Sequence, residues 1–223
     1  MKAQMHDFMD GNGPVPSHIH TKGGGWVADT AYVDKSAHIG PDAQVFGDAQ
    51  VFGDALVYGD ARVSGDAWVF GDARVFGDAR VFGDARVFGD ARVYGDAWVS
   101  GDAKVYGDAR VYGDAWVSGD ARVFGDARVF GDARVYGDAR VSGDARVFGD
   151  AQVNRGMYAY TPISITRSDG YTFTLQSDGS IVAGCRDFTP DEAKAHWGDP
   201  EHYKHRESMA IVTALNAIAA DRQ

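Results

Sequence analysis

A six-residue period governs what this chain can fold into. From Gly47 to Asp150, glycine is followed by aspartate at every sixth position for 18 consecutive copies of a unit that reads Gly-Asp-Ala-x-Val-x. The apolar position extends the register further, from Val27 through Val33, Ile39 and Val45 to Val153, giving 22 hexads without an insertion. A helix cannot use this pattern, because a period of six does not hold Val on one face of a 3.6-residue turn. An antiparallel meander joined by two-residue turns would need longer strands. If Ala-x-Val-x is extended, Ala and Val face one way and the two variable residues face the other, since side chains alternate along a strand. Gly-Asp then makes the corner, with glycine adopting backbone angles that other residues resist. Short parallel strands coiling round a core remain. The 29 glycines against 6 prolines fit this reading, and collagen is excluded because there is no Gly-X-Y register.

Across residues 26–154 the pattern Val-x-Gly-Asp-Ala-x resembles the hexapeptide repeat of the left-handed parallel β-helix, the bacterial transferase hexapeptide fold. The resemblance implies a left-handed coil with three hexads to each triangular turn. Twenty-two hexads then make about seven coils, roughly 35 Å tall at ~4.8 Å between strands. The entry segment GGGWVADTAYVDKSAHIGPDA and the Gly-Cys-Arg-Asp-Phe-Thr stretch near the end are similar to those of solenoid proteins of unassigned function in bacteria and their phages. The expected fold class is therefore an all-β solenoid, a left-handed parallel β-helix of about seven triangular coils, with a small α+β C-terminal cap.

The flanks differ in character. Residues 1–25 include GNGPVPSHIHTKGGG, too rich in Gly and Pro for regular structure, and read as a flexible lead-in partly folded against the first coil. The β-helix is assigned to 26–156 and the cap to 157–223. In the cap, Ile163 and Ile165, then Tyr171, Phe173 and Leu175, then Ile181 and Val182 read as a three-stranded meander with turns at Ser168-Asp169-Gly170 and Ser177-Asp178-Gly179. Thr189-Pro190-Asp191-Glu192 has the marks of a helix start, and a second helix is expected over about 201–220, with Val212, Leu215, Ile218 and Ala219 on one stripe. Solenoids must cover their open strand edges, so both flanks read as caps.

Residues 18 apart should stack, which sorts the outward positions into three faces. The third face carries Arg74, Arg92, Arg110, Arg128 and Arg146 in one column, with Tyr58, Phe76, Tyr94, Tyr112, Phe130 and Phe148 beside it. The second is mixed, with Phe52, Phe70, Phe88, Tyr106 and Phe124 beside Trp68, Arg86, Lys104, Arg122 and Arg140. On the first, Ser64, Ser100 and Ser118 replace aromatics while Trp98 and Trp116 replace arginines in adjacent coils, giving a Trp pair beside a serine trough. Exposed aromatic columns would form an apolar patch of the size that marks interfaces, and Arg, Tyr, Phe and Trp are enriched at binding hot spots. An arginine column repels itself and calls for compensation from corner aspartates, ring faces or a partner. The expected binding residues are the third-face columns with Trp98 and Trp116. The expected partner is a second copy of the chain or another protein, with a nucleotide or other small ligand in the Trp-Ser trough as the alternative.

Charge and residue inventory set aside other classes. A net charge of -10, and 12 Lys and Arg against 18 Asp between Ala43 and Gln152, argue against nucleic acid or an anionic membrane. The hexapeptide fold includes acyltransferases and γ-class carbonic anhydrases, for which the resemblance implies a catalytic histidine or a histidine-bound metal. Here no loop is ejected from a coil and the array's histidine is His38 alone, so no catalytic residue, metal or cofactor is expected, and an acyltransferase relative is the weakest reading. His18 with His20, and His202 with His205, fall short of a zinc ligand set, and one carboxylate per turn is too few for calcium. Cys185, the lone cysteine, reads as a small buried residue. The opening MKAQMHDFMDGNG lacks an apolar signal region and no run of 18 apolar residues occurs, so the expected location is the cytoplasm of a bacterial or phage-infected cell.

Overall fold

The computed structural model describes residues 4–158, 161–184 and 186–221, and in it the hexads form a three-faced parallel solenoid of about seven turns. Val51 pairs with Val69, Val69 with Val87 and Val87 with Val105, so each strand lies against the one 18 residues on. The expected three hexads per coil follow directly. Pairing continues into the corners, where the amides of Gln50, Trp68 and Arg86 donate to the carbonyls of Ala67, Ala85 and Ala103 at 2.8–2.9 Å. Inside, the solenoid core consists of Val, Ile and Ala closed at one end by Tyr158, with Ala and Val alternating as the two-residue strand period requires.

The corner needs glycine for two reasons. From Gly47 to Gly149 every corner glycine has φ between +57° and +73°, a left-handed conformation costly for residues with a Cβ. Space is short as well: a Cβ on Gly95 would meet the Gly113 amide nitrogen at 3.0 Å. Corner glycines therefore stack on one another coil by coil.

At the C-terminal end the register changes. Met157–Tyr158 pairs with Arg140–Val141, so Tyr158 lies one residue short of the 18-residue spacing. This strand, assigned from the sequence to the start of the cap, is the last of the second face. Tyr158 plugs the apolar core, and its hydroxyl donates to Gln176 Oε1 at 2.7 Å.

The cap itself is a four-stranded antiparallel sheet, Ser164–Thr166, Thr172–Leu175, Ile181–Ala183 and Arg186–Phe188, with two helices, α1 (Pro190–Gly198) and α2 (His205–Asp221). It has one strand more than the expected meander. Arg186-Asp187-Phe188 is short and carries two charges, so it shows no alternation to read. Thr189 and Glu192 form the capping box that the sequence advertises. Phe173, Leu175, Trp197, Val212 and Leu215 make a separate core.

Where an eighth coil would begin, cap side chains substitute for it. Thr174 Oγ1 accepts from the Gln152 amide at 3.2 Å, Gln176 Oε1 accepts from the Asn154 amide at 3.3 Å, and Gln176 Nε2 donates to the Gln152 carbonyl at 2.9 Å. Arg155 pairs with Asp187 and, at 3.7 Å, with Asp178. The terminal edge is thereby paired.

The lead-in departs from its expected irregularity. Gln4–His6 and Val15–Ile19 pair antiparallel, and Val15–Ile19 continues onto Trp26–Ala28, the top strand of the first face. Phe8 is buried against Phe46 with centroids 4.9 Å apart, and His6 stacks on Trp26 at 4.2 Å. Glycine and proline content measures local preference, whereas an open sheet edge supplies pairing partners that override it. Cys185 lies outside the described residues.

Candidate interaction surface

The three faces carry the residues assigned to them. On the third, Arg74, Arg92, Arg110 and Arg128 are consecutive register partners, and Arg128 pairs in turn with Arg146. Beside them the rings from Tyr58 to Phe130 stack with centroids 4.8–5.0 Å apart and planes within 2°, and Phe130 to Phe148 closes the column at 5.5 Å. Stacking covers the ring faces, so Phe76, Tyr94, Tyr112 and Phe130 are half-buried and only the terminal Tyr58 and Phe148 are exposed. The column is thus less of an open apolar patch than the sequence implies: neighbouring rings are each other's main partners. Burial holds the Tyr94 hydroxyl above its usual pKa, with the adjacent Tyr112 adding to the effect.

The arginines have no comparable partners. Among the described residues no array arginine lies within 4.0 Å of a carboxylate, although all 18 corner aspartates are exposed. Ring faces offset part of the charge on the other two faces, although among the described residues Lys104, Arg122 and Arg140 on the second have none. Arg86 lies 5.0 Å over Trp68 on the second, while Arg62 over Phe46, Arg80 over Trp98 and Arg134 over Trp116 lie on the first at 4.9–5.5 Å. Among the described residues none of the five third-face arginines has such a ring. The expected compensation by aspartates or rings is therefore missing on this face.

The first face is built differently. Trp98 and Trp116 stack at 4.9 Å with planes 3° apart, and Arg80 and Arg134 lie over their outer faces, making a four-tier column. Of the trough serines, Ser118 and Ser64 each line a hollow beside the indoles. Below the pair, Trp116, Ser118, Arg134, Tyr136 and Gln152 line an open hollow of ≈ 310 Å³; above it, Trp98, Arg80, Arg62 and Met9 border another of ≈ 240 Å³. The lead-in, expected against the first coil, reaches further onto this face. Arg62 donates to the Phe8 carbonyl, and burial, with Arg80 nearby, lowers its pKa. The available signal was Phe8 itself, an aromatic isolated in a polar segment.

The histidines are dispersed or locally bonded. His18 Nδ1 lies 2.9 Å from Asp29, His205 Nδ1 2.7 Å from the Trp197 carbonyl, and the His196 and His202 rings are 5.1 Å apart. Burial, followed by His202 and Arg186, lowers the His196 pKa. Among the described residues no three His, Cys, Asp or Glu side chains cluster as a metal site.

Three paired faces, a glycine corner every sixth residue and a Val-Ala core define a hexapeptide-repeat parallel β-solenoid. Within that class, the family model for the YdcK beta solenoid repeat matches residues 49–65, 55–71, 85–101, 103–119, 121–137, 127–141 and 139–155, so these segments are similar to YdcK solenoid repeats. Among solved structures, the chain is similar to a candidate acetyltransferase from Bacillus cereus at 8% identity, covering 80% of this chain and 95% of that one, with a TM-score of 0.32. No curated protein matches.

Proposed function

We propose that this protein is a rigid assembly scaffold whose third face engages a protein partner through its arginine ladder. One observation carries the reading: five arginines stand in register at the strand spacing and, among the described residues, none has a carboxylate within 4.0 Å or a ring beneath it. A partner supplying acidic groups relieves their mutual repulsion, and arginine is a frequent interface anchor. The solenoid keeps the ladder straight without a bound ligand, because its core and edges are already closed. The reading requires no catalytic group. No helix among the described residues is long and apolar enough to cross a membrane.

Arg92→Ala with Arg110→Ala is the sharpest test, because the neighbouring tyrosines belong to a structural stack and are left in place. The circular dichroism spectrum and Tm should stay as in the wild type, while association measured by sedimentation and by capture of partners is lost. Unchanged association would sink the reading.

The four-tier column on the first face favours a second reading, in which a planar anion such as a nucleotide stacks on Trp116 and meets Arg134. Titration of tryptophan emission with nucleotides tests it. Quenching that disappears in Trp116→Ala would support it.

A further inference from the structure

Each third-face arginine stands two residues after a corner aspartate, in the pairs Asp72 and Arg74, Asp90 and Arg92, Asp108 and Arg110, Asp126 and Arg128, Asp144 and Arg146. The edge where the second face turns into the third therefore carries two parallel ladders, one acidic and one basic. Both repeat once per coil. Side by side, they do not pair with each other: none of these aspartates comes within 4.0 Å of an array arginine, and all five are exposed.

We infer that the acidic partner of the arginine ladder is the aspartate ladder of a second copy of this chain, in a parallel dimer about a two-fold axis running along this edge. This deepens the scaffold reading and rests on it. The geometry follows from symmetry. A two-fold axis parallel to the solenoid axis reverses the order of columns across the edge but keeps the coils running the same way. Placed between the two ladders, it sets each copy's arginines opposite the other copy's aspartates, reciprocally. The contact is isologous, so it closes at two chains. A two-fold axis perpendicular to the solenoid axis would instead oppose arginine to arginine and aspartate to aspartate.

Pitch selects a second solenoid over other acidic partners. The rungs of this edge repeat at the strand spacing, which the neighbouring rings mark as 4.8–5.0 Å. An extended acidic peptide presents same-side carboxylates about 6.6 Å apart, so it falls out of step within two rungs. A parallel β-ladder of the same kind stays in register over all five. The third face is also the one whose column is arginine throughout, from Arg74 to Arg146. Lys104 breaks the arginine run on the second face, and Trp98 and Trp116 break the column on the first. Both chains carry a net charge of -10, so attraction must come from short-range pairing and not from overall charge.

Charge exchange tests the dimer. One full-length variant takes Arg92→Glu, Arg110→Glu and Arg128→Glu, making the three central rungs acidic; a second takes Asp90→Arg, Asp108→Arg and Asp126→Arg, making the same three rungs basic. By sedimentation equilibrium the wild type should be a dimer, each variant alone a monomer, and their equimolar mixture a heterodimer. Because these positions point outward, circular dichroism and Tm should remain near wild type. If a triple variant fails to fold, Arg92→Gln with Arg110→Gln is the milder substitute and should weaken the dimer by about tenfold or more. A monomeric wild type, a dimer that persists in the variant with acidic central rungs, or a mixture that does not associate would each overturn the inference. So would retention of a monomeric wild type on polyglutamate or heparin, which would assign the ladder to an acidic polymer. The broader scaffold reading falls separately, only if Arg92→Ala with Arg110→Ala leaves every association unchanged.

Discussion

The solenoid and the cap solve the same problem, holding short strands together, by opposite means. In the solenoid no position is individually important in kind: Val, Ala, Gly and Asp recur, the core is Val, Ile and Ala with a single terminal Tyr158, and among the described residues array arginines make no ion pair. In the cap nearly every contact occurs once. Arg167 is buried, grips Asp169 through two nitrogens at 2.7 and 2.8 Å, donates to Ser208 at 2.8 Å and lies over the Tyr171 and Tyr203 rings. Glu207 accepts from the Ser168 amide and hydroxyl at 2.6 and 2.7 Å. Stability in an array is a sum over equivalent interfaces, whereas the small cap depends on specific polar ties. The two regions should therefore fail under different insults.

A charge in the array core should do the most damage. Val87→Asp or Val105→Asp places an unpaired carboxylate at a fully buried position, costing several kcal/mol, and should unfold the solenoid as read by circular dichroism. A preserved Tm would refute the inward assignment of Val.

Tyr158→Ala should cost about 3–5 kcal/mol, by analogy with large aromatic truncations, because it both empties the end of the core and deprives Gln176 of its hydroxyl donor. Its effect should be local to the seam. Chemical denaturation followed at Trp197, the buried cap tryptophan, should shift further than denaturation followed at Trp98. Equal shifts would mean that cap and solenoid unfold as one unit. Deleting 161–223 should go further at the same place, leaving the last coil unpaired and the chain prone to end-to-end polymerisation visible by light scattering.

Two corner glycines sharpen the comparison within the array. Gly95→Ala meets both a φ of +72° and the Gly113 backbone, while Gly149→Ala meets a φ of +59° and open space. The second should cost about 1 kcal/mol and the first more, up to about 3 kcal/mol. Equal costs would show that conformation alone demands glycine.

Acid should produce the smallest and most selective effect. In the cap, Asp169 is lowered to about 2 by the Arg167 hydrogen bond, and Glu192 and Glu207 are lowered by their bonds to Thr189 and Ser168. These groups bind protons less readily folded than unfolded, so their contribution is present above the unfolded carboxylate pKa and disappears as pH falls from about 4 towards 2. His196, lowered by burial, acts in the same direction at higher pH. The unfolded imidazole protonates first, so stability begins to fall as pH drops below about 6.5. A Trp197-monitored transition should move to lower denaturant on acidification before the circular dichroism of the solenoid changes. Simultaneous loss would contradict the division.

Much of this molecule was legible because repetition turns one physical decision into many identical ones. A period of six with Val and Ala alternating admits few structures, and once three hexads close a coil the outward columns follow by counting. The Trp98 and Trp116 stack, the five-arginine column and the corner glycines needed no more than that. The capping box at Thr189 was equally plain, since its hydrogen bonds are local. Tertiary structure alone decided what lies at the ends and between the columns. The lead-in forms strands because an unpaired sheet edge outweighs its Gly and Pro content, and Tyr158 enters the core through a one-residue change of register that no local preference marks. Thr174 and Gln176 become coil substitutes through contacts 22 and 24 residues away in the chain. Whether the arginines met the aspartates was likewise beyond sequence, because residues two apart can pair or miss according to how the corner between them turns.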